Sequence, residues 1–272
     1  MIFSRVKSKI KKIAFSNKIW IEKIRSHEDL LIFISRFRQH YVSCDLIRIG
    51  GEGDGGYLHP KILENIKYCF SPGISSKIDF ERELSESYNI VSFMADASIT
   101  NPPINNCNFY FIPKFLASYS DKEFITLSDW VNSSINDDEG AKILQMDIEG
   151  SEYDVLTFED SDTLAGFSTL IIEFHGLNNM FKKSFLRMVS AIFEKIYKNF
   201  SICHVHPNNC CPVATIDGIG VPEVIEVTFI RNDLLPKYSN NSRVYLPHRL
   251  DRKNVERNTD ILMPRIWWDT RI

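Results

Sequence analysis

The chain has 272 residues, of which 44% are hydrophobic, 25% charged and 12% aromatic, and its net charge is −3. That balance belongs to a globular protein large enough to bury a full core. It excludes a disulfide-stapled miniprotein and a mainly disordered chain, and it shows no global basic signal for nucleic acid.

The charge is lopsided. Residues 1–38 hold ten Lys or Arg against three Asp or Glu, a balance of +7, which leaves −10 for the rest. No apolar run approaches the roughly 20 residues a membrane helix needs. Lysines interrupt the opening MIFSRVKSKIKKIAFSNK, so it lacks the apolar stretch of a secretory signal. The chain reads as cytoplasmic. Its six cysteines (Cys44, Cys69, Cys107, Cys203, Cys210, Cys211) are expected to be reduced thiols.

In chain order, Phe3, Val6, Ile10 and Ile13 recur at helical spacing with Lys7, Lys9, Lys11 and Lys12 between them. The pattern predicts a basic amphipathic helix, an extension packed on the body or frayed. The alternative is peripheral contact with an anionic membrane surface. A second helix is predicted from Ser26, with Asp29 in a capping-box-like position and Leu30, Ile34 and Phe37 as its stripe. Next comes Gly50-Gly51-Glu52-Gly53-Asp54-Gly55-Gly56-Tyr57, five glycines in seven residues before the tyrosine. Glycine this dense carries an entropic cost. The box is read as a loop that closes over a ligand, with Asp54 and Tyr57 as polar contacts. It lacks the Lys-Ser/Thr ending of a phosphate-binding P-loop.

From residue 60 onward short apolar runs alternate with helical stretches. The predicted strands are Ile66–Phe70, Ile90–Met94, Phe109–Ile112, Lys142–Met146, Thr169–Phe174, Ser201–Val205 and Val224–Ile230. The predicted helices are Phe80–Tyr88, Ser151–Phe158 and Phe181–Tyr197. Alternation of this kind indicates βαβ units and a parallel sheet. The last two runs have no helix between them, so they can pair antiparallel. The expected fold is α/β: a Rossmann-like, mainly parallel seven-stranded sheet with an antiparallel last strand, plus an N-terminal helical extension.

In such sheets ligands bind beyond the carboxyl ends of the strands. After the first strand comes Ser71-Pro72-Gly73-Ile74-Ser75-Ser76, where Gly73 lets a ligand approach the backbone. Asp96 lies 23 residues beyond Gly73, a position suited to holding ribose hydroxyls, or equally to a helix cap. The fourth strand ends in Gln145-Met146-Asp147-Ile148-Glu149-Gly150-Ser151-Glu152. Asp147 sits at the strand tip facing the cleft, while capping of the next helix would account for Glu149 and Glu152. The fifth strand ends in Glu173-Phe174-His175-Gly176 and the sixth in His204-Val205-His206. Alternation puts Glu173 and His175 on one face, and His204 and His206 likewise. Carboxylates and imidazoles at neighbouring tips suit a general base or a divalent metal. A zinc site from Cys203, His204, His206, Cys210 and Cys211 matches no common spacing.

Taken in order, "RIGGEGDGGYLHP", "CFSPGISSKIDFERELSESYNIVSFMADAS", "ITLSDWV", "KILQMDIEGSEYDVL", "LIIEFHG", "ICHVHPNN" and "VPEVIEVTFIRN" resemble the FkbM-type S-adenosylmethionine-dependent methyltransferases and related methyltransferase-like proteins with a DGGY box. The resemblance covers roughly residues 45–232, and only Gly73 remains of the usual glycine-rich signature. It implies a Rossmann-like methyltransferase fold that uses S-adenosylmethionine to methylate hydroxyls, often of saccharides or natural products.

By position, the resemblance places Asp54, Gly55, Gly56, Tyr57, Ser71, Gly73, Asp96, Asp147, Ile148 and Glu149 at the cofactor. Glu173, His175 and His206 face the acceptor. The domains expected are a basic extension (1–40), a methyltransferase domain (41–240) and a C-terminal tail packed on it (241–272).

Methyl transfer to oxygen needs the acceptor aligned and its proton removed. The base is His175 or His206, with Asp147 and Glu173 orienting it or binding Mg²⁺. A bound cation would replace the base by lowering the acceptor's pKa. The partner expected is a small-molecule or saccharide acceptor, not nucleic acid. A non-catalytic binding module in a glycan-assembly complex is the alternative. A nicotinamide-dependent oxidoreductase is disfavoured, because GxGxxG is absent.

Overall fold

The computed structural model describes residues 2–19, 27–75, 77–99, 106–135, 140–240 and 243–271. Seven strands form one sheet: β1 (Ile66–Pro72), β2 (Val91–Ala95), β3 (Phe109–Ile112), β4 (Ala141–Met146), β5 (Thr169–Phe174), β6 (Phe200–Pro207) and β7 (Ile225–Arg231). Their spatial order is β6-β7-β5-β4-β1-β2-β3. β7 runs antiparallel to both its neighbours, β5 and β6, and the remaining pairs are parallel. All seven expected strands are present, every end within two residues of its expected position.

The chain lays down β1, β2 and β3 outward, then returns to place β4 on the other side of β1. The order therefore reverses between β1 and β4, the position where sheets of this kind bind ligands.

Among the described residues, seven helices of five or more residues accompany the sheet: α1 (Ile2–Ser16), α2 (His27–Gln39), α3 (Asp79–Tyr88), α4 (Leu127–Ser134), α5 (Glu152–Phe158), α6 (Ser161–Ala165) and α7 (Lys183–Tyr197). Side chains alternate across the sheet. Phe70, Leu144, Leu170 and Ile172 pack with α2, α4, α5 and α7. Cys69, Ile143 and Ile171 point the other way, toward α3 and the residues Ile49 and Tyr57. The stripe Leu30, Ile34 and Phe37 of α2 is buried. Phe33 meets Phe193 of α7 edge-on at 5.2 Å, and Phe37 meets Trp267 edge-on at 5.3 Å. The C-terminal segment thus closes this face. The cap expected at Ser26 lies outside the described residues.

The glycine box differs from a plain loop. It is the turn of an antiparallel hairpin that pairs Leu46–Ile49 with Tyr57–Pro60. Arg48 explains the turn: its guanidinium donates to the carbonyls of Gly51 and Gly53, both at 2.9 Å. A side chain at Gly56 would collide with Arg48 and the Gly51 carbonyl. A second hairpin, Val213–Ile216 with Ile219–Pro222, fills the connection from β6 to β7. Helix α1 forms as expected, with Val6, Ile10 and Ile13 exposed by half or more. No helix among the described residues is long and apolar enough to cross a membrane.

Candidate active site

The apolar row Cys69–Ile143–Ile171 becomes polar toward the carboxyl ends of the strands, where Ser71, Gln145 and Glu173 follow on the same face. Two clusters grow from this row.

The first sits at the switch point. Gly73, just after β1, has φ +81°, and a Cβ there would overlap the Asp147 carbonyl. The two loops after β1 and β4 are therefore in backbone contact, and only glycine fits between them. Above them, Asp54, Gly55, Tyr57, Gly73, Asp147 and Glu149 line one cavity of ≈ 140 Å³. Six of the ten residues expected at the cofactor thus share one pocket.

The other four are placed differently. Gly56 packs on Arg48. Ser71 is fully buried beneath, bonded to Glu81 and, at 2.5 Å, to Gln145. Gln145 in turn donates to the Tyr57 hydroxyl at 3.1 Å. Ile148 contributes its backbone N–H to Glu152. Asp96 stands at the tip of β2, with Oδ1 accepting from Ser98 N and Oγ at 2.7 and 2.6 Å.

The turn from β4 to α5 is strained. Glu149 has φ +55°, in the left-handed region, and Gly150 follows with φ +102°. A non-glycine residue there costs roughly 1–3 kcal/mol and needs outside support. Glu152 gives it. This side chain is fully buried, and its Oε1 accepts from Ile148 N at 3.2 Å, Gly150 N at 3.1 Å and His175 Nδ1 at 3.0 Å. It does cap amides, as its helix-start position suggested. It also fixes the imidazole, which that reading did not foresee.

With Nδ1 held by Glu152, His175 turns Nε2 toward Glu149, Asp147 and Glu173 at 3.6, 3.7 and 3.8 Å. Four carboxylates thus surround one imidazole. Burial and the charges of Glu149 and Glu152 push the Asp147 carboxyl up to about 7, against the opposing pull of His175. Burial, with Asp147 and Glu226 nearby, pushes Glu173 well above the usual range, although Asn208 donates to it at 2.8 Å. Burial opposes charge on His175, but Glu152, Asp147 and Glu149 outweigh it and raise the imidazole. Asp147, Glu149 and His175 each present a donor atom within 4.8 Å of the others, a spacing that could hold a cation.

The second cluster lies across the sheet. Glu173 pairs with Glu226 on β7, and Glu226 pairs with His206 on β6. His204 Nε2 lies 2.9 Å from Asp251 Oδ1, and His206 Nδ1 lies 3.7 Å from Asp251 Oδ2. Asn254 donates to Glu226 at 2.5 Å. Asp251 and Asn254 belong to the C-terminal segment, where sequence offered no periodic signal. All six cysteines are free thiols, and among the described residues Cys203, Cys210 and Cys211 do not gather with the histidines as a metal site.

Comparison with known proteins adds the following. Residues 84–199 match the family described as Methyltransferase FkbM domain. Among curated proteins none matches the chain. Among solved structures, a fibrillarin/Nop5p complex superposes with TM-score 0.36 at 9% identity, over 61% of this chain and 73% of that one. Fibrillarin from Methanococcus jannaschii, a pre-rRNA processing protein, gives TM-score 0.36 at 9% identity, over 62% and 68%. A predicted O-methyltransferase from Agrobacterium tumefaciens gives 0.33 at 10%, over 63% and 79%. These superpositions are loose; the strand order itself defines the fold.

Proposed function

We propose, from the match of residues 84–199 to the FkbM methyltransferase domain, that the chain methylates a hydroxyl of a saccharide or related small molecule, using S-adenosylmethionine. The observation that carries this reading is His175, fixed at Nδ1 by buried Glu152 and turning Nε2 toward Asp147 and Glu149, which line the Gly73 pocket.

The cofactor fits the residues present. Gly73 lets the loops after β1 and β4 meet at the floor of the cavity, and Asp54, Asp147 and Glu149 give it an acidic lining that favours a sulfonium cation. A volume of ≈ 140 Å³ encloses only one end of such a ligand. In this reading Asp96, at the tip of the next strand but one from β4, holds the ribose; its position beside the switch point supports that role. When bound, S-adenosylmethionine supplies an activated methyl group and a neutral leaving group.

The protein supplies position and a proton acceptor. His175 Nε2 takes the acceptor's hydroxyl proton, and Glu152 holds the ring's orientation and stabilises its charged form. The local excess of carboxylate disfavours polyanionic acceptors, which fits a sugar better than a nucleic acid. In this reading residues 41–240 carry the reaction, 241–272 form a packed tail, 1–40 an extension, and the enzyme works in the cytoplasm.

One second route has its own observation. Asp147, Glu149 and His175 also form a donor set for a divalent cation. One imidazole beside two carboxylates suits Mn²⁺ or Zn²⁺ at least as well as Mg²⁺. In that route His175 is a ligand, and the acceptor hydroxyl is acidified instead of being met by a base.

Calorimetric titration with S-adenosylhomocysteine, with NAD as control, tests the reading. Binding of the first alone is expected. Gly73→Ala is expected to weaken it by about 10- to 100-fold, the cost of a strained, blocked position. Asp96→Ala is expected to weaken it by about tenfold, one hydrogen bond to a charged group. Binding of neither ligand would favour the non-catalytic module. Turnover that survives removal of divalent cations keeps His175 as the base; turnover that needs them moves it to the ligand role.

A further inference from the structure

We propose that α1 lies along the surface of an anionic lipid bilayer. Val6, Ile10 and Ile13 stand on one face of α1 at i, i+4 and i+7, and all three are exposed by half or more. At 100° per residue, Lys7 and Lys11 flank one edge of that stripe, and Lys9 and Lys12 the other. Residues 2–19 contain six Lys or Arg and no Asp or Glu. This is the composition of a helix that sinks its apolar face at the headgroup boundary while long lysine stems carry their charges outward. It lies on the surface and does not span, since no described helix is long and apolar enough to cross.

Charge selects the occupant. A second copy of α1 would bring like charges together with no acid between them. Nucleic acid would match the lysines but leave the Val6–Ile10–Ile13 stripe in water. A bilayer with anionic headgroups meets both faces at once. The rest of the chain is acidic, so attraction to such a surface has to come from this helix. The inference stands apart from the methyl-transfer reading and needs neither cofactor nor acceptor.

The test is co-sedimentation of the full chain with phosphatidylcholine vesicles, with and without phosphatidylglycerol. Wild type is expected to pellet only with the anionic vesicles and to be released by high salt. Lys7→Gln with Lys11→Gln is expected to weaken partitioning about thirtyfold, and Ile10→Asn with Ile13→Asn to abolish it. Thermal melting of both variants is expected to match wild type. The proposal is overturned if wild type stays in the supernatant, if it binds neutral vesicles equally, or if the Ile variant binds undiminished. It is also overturned if the Ile variant lowers the melting temperature, which would mean α1 packs on the body. Conversion of a dimer to a monomer by the Ile variant would name a second copy as the occupant instead.

Discussion

The two clusters at the strand tips use the same ingredients and reach opposite balances. Around His175, four carboxylates converge on one imidazole, and no Lys or Arg ion pair to them occurs among the described residues. Around Asp251, two imidazoles converge on one carboxylate. Burial works against the Asp251 charge, yet His204 and His206 outweigh it and hold the carboxyl well below its usual range. Burial likewise opposes charge on His206, and Asp251 with Glu226 raises it regardless. The second cluster is compensated, and it ties the C-terminal segment to β6. The first is under-compensated and half open: its groups are raised and its connecting loop is strained. Unbalanced charge kept at a pocket mouth is what a reaction site needs. Balanced charge kept in the interior is what a structural pin needs.

The sharpest way to break this comparison is Glu152→Ala. It removes the acceptor shared by His175, Ile148 N and Gly150 N. Turnover is expected to fall by about 10²- to 10⁴-fold as the base loses its orientation. Stability measured by urea unfolding is expected to fall by about 3 kcal/mol, because buried donors are left without a partner. Retained turnover would show that the imidazole needs no such support.

Next in size is the contrast between His175→Ala and His206→Ala. His175→Ala is expected to lower turnover within that same range while leaving S-adenosylhomocysteine affinity within about threefold. His206→Ala is expected to act chiefly on stability, by about 1–3 kcal/mol, since it leaves Asp251 and Glu226 buried with one partner fewer. Equal losses of turnover, with both proteins equally stable, would erase the distinction between site and pin.

Much of the fold is legible in the sequence because it rests on local patterning. The runs at 109–112 and 169–174 match β3 and β5 residue for residue, and the antiparallel β6–β7 pair follows from the missing helix between them. The hairpin around the glycine box is not legible. Its strands are only four residues long, and Arg48 fixes the turn by reaching back to carbonyls that no periodicity reveals. The site divides in the same way. Asp147, Glu173 and His175 show themselves as polar residues at strand ends. Glu152 hides behind a sound local explanation, a carboxylate at a helix start, because its decisive partner lies just past the end of β5, 23 residues away. Asp251 gives no local signal, since its meaning comes entirely from two histidines on β6.

The smallest expected effect tests the pin through its pH dependence. Asp251 has a depressed folded pKa, so its contribution is present above the unfolded value near 3.9 and fades as pH falls through the folded one. His206 has a raised folded pKa, so its contribution is full below about 6.5 and fades as pH rises through the folded value. Asp251→Asn removes the partner both depend on. The melting temperature of wild type should therefore exceed that of the variant most between about pH 4 and 6.5, with the gap narrowing on either side. For a chain of this length a gap of about 1–2 kcal/mol corresponds to a few degrees. A gap constant from pH 3 to 9 would mean that Asp251 acts through packing and neutral hydrogen bonds alone. The contrast between a charged pin and an uncompensated site would then lose one of its two sides.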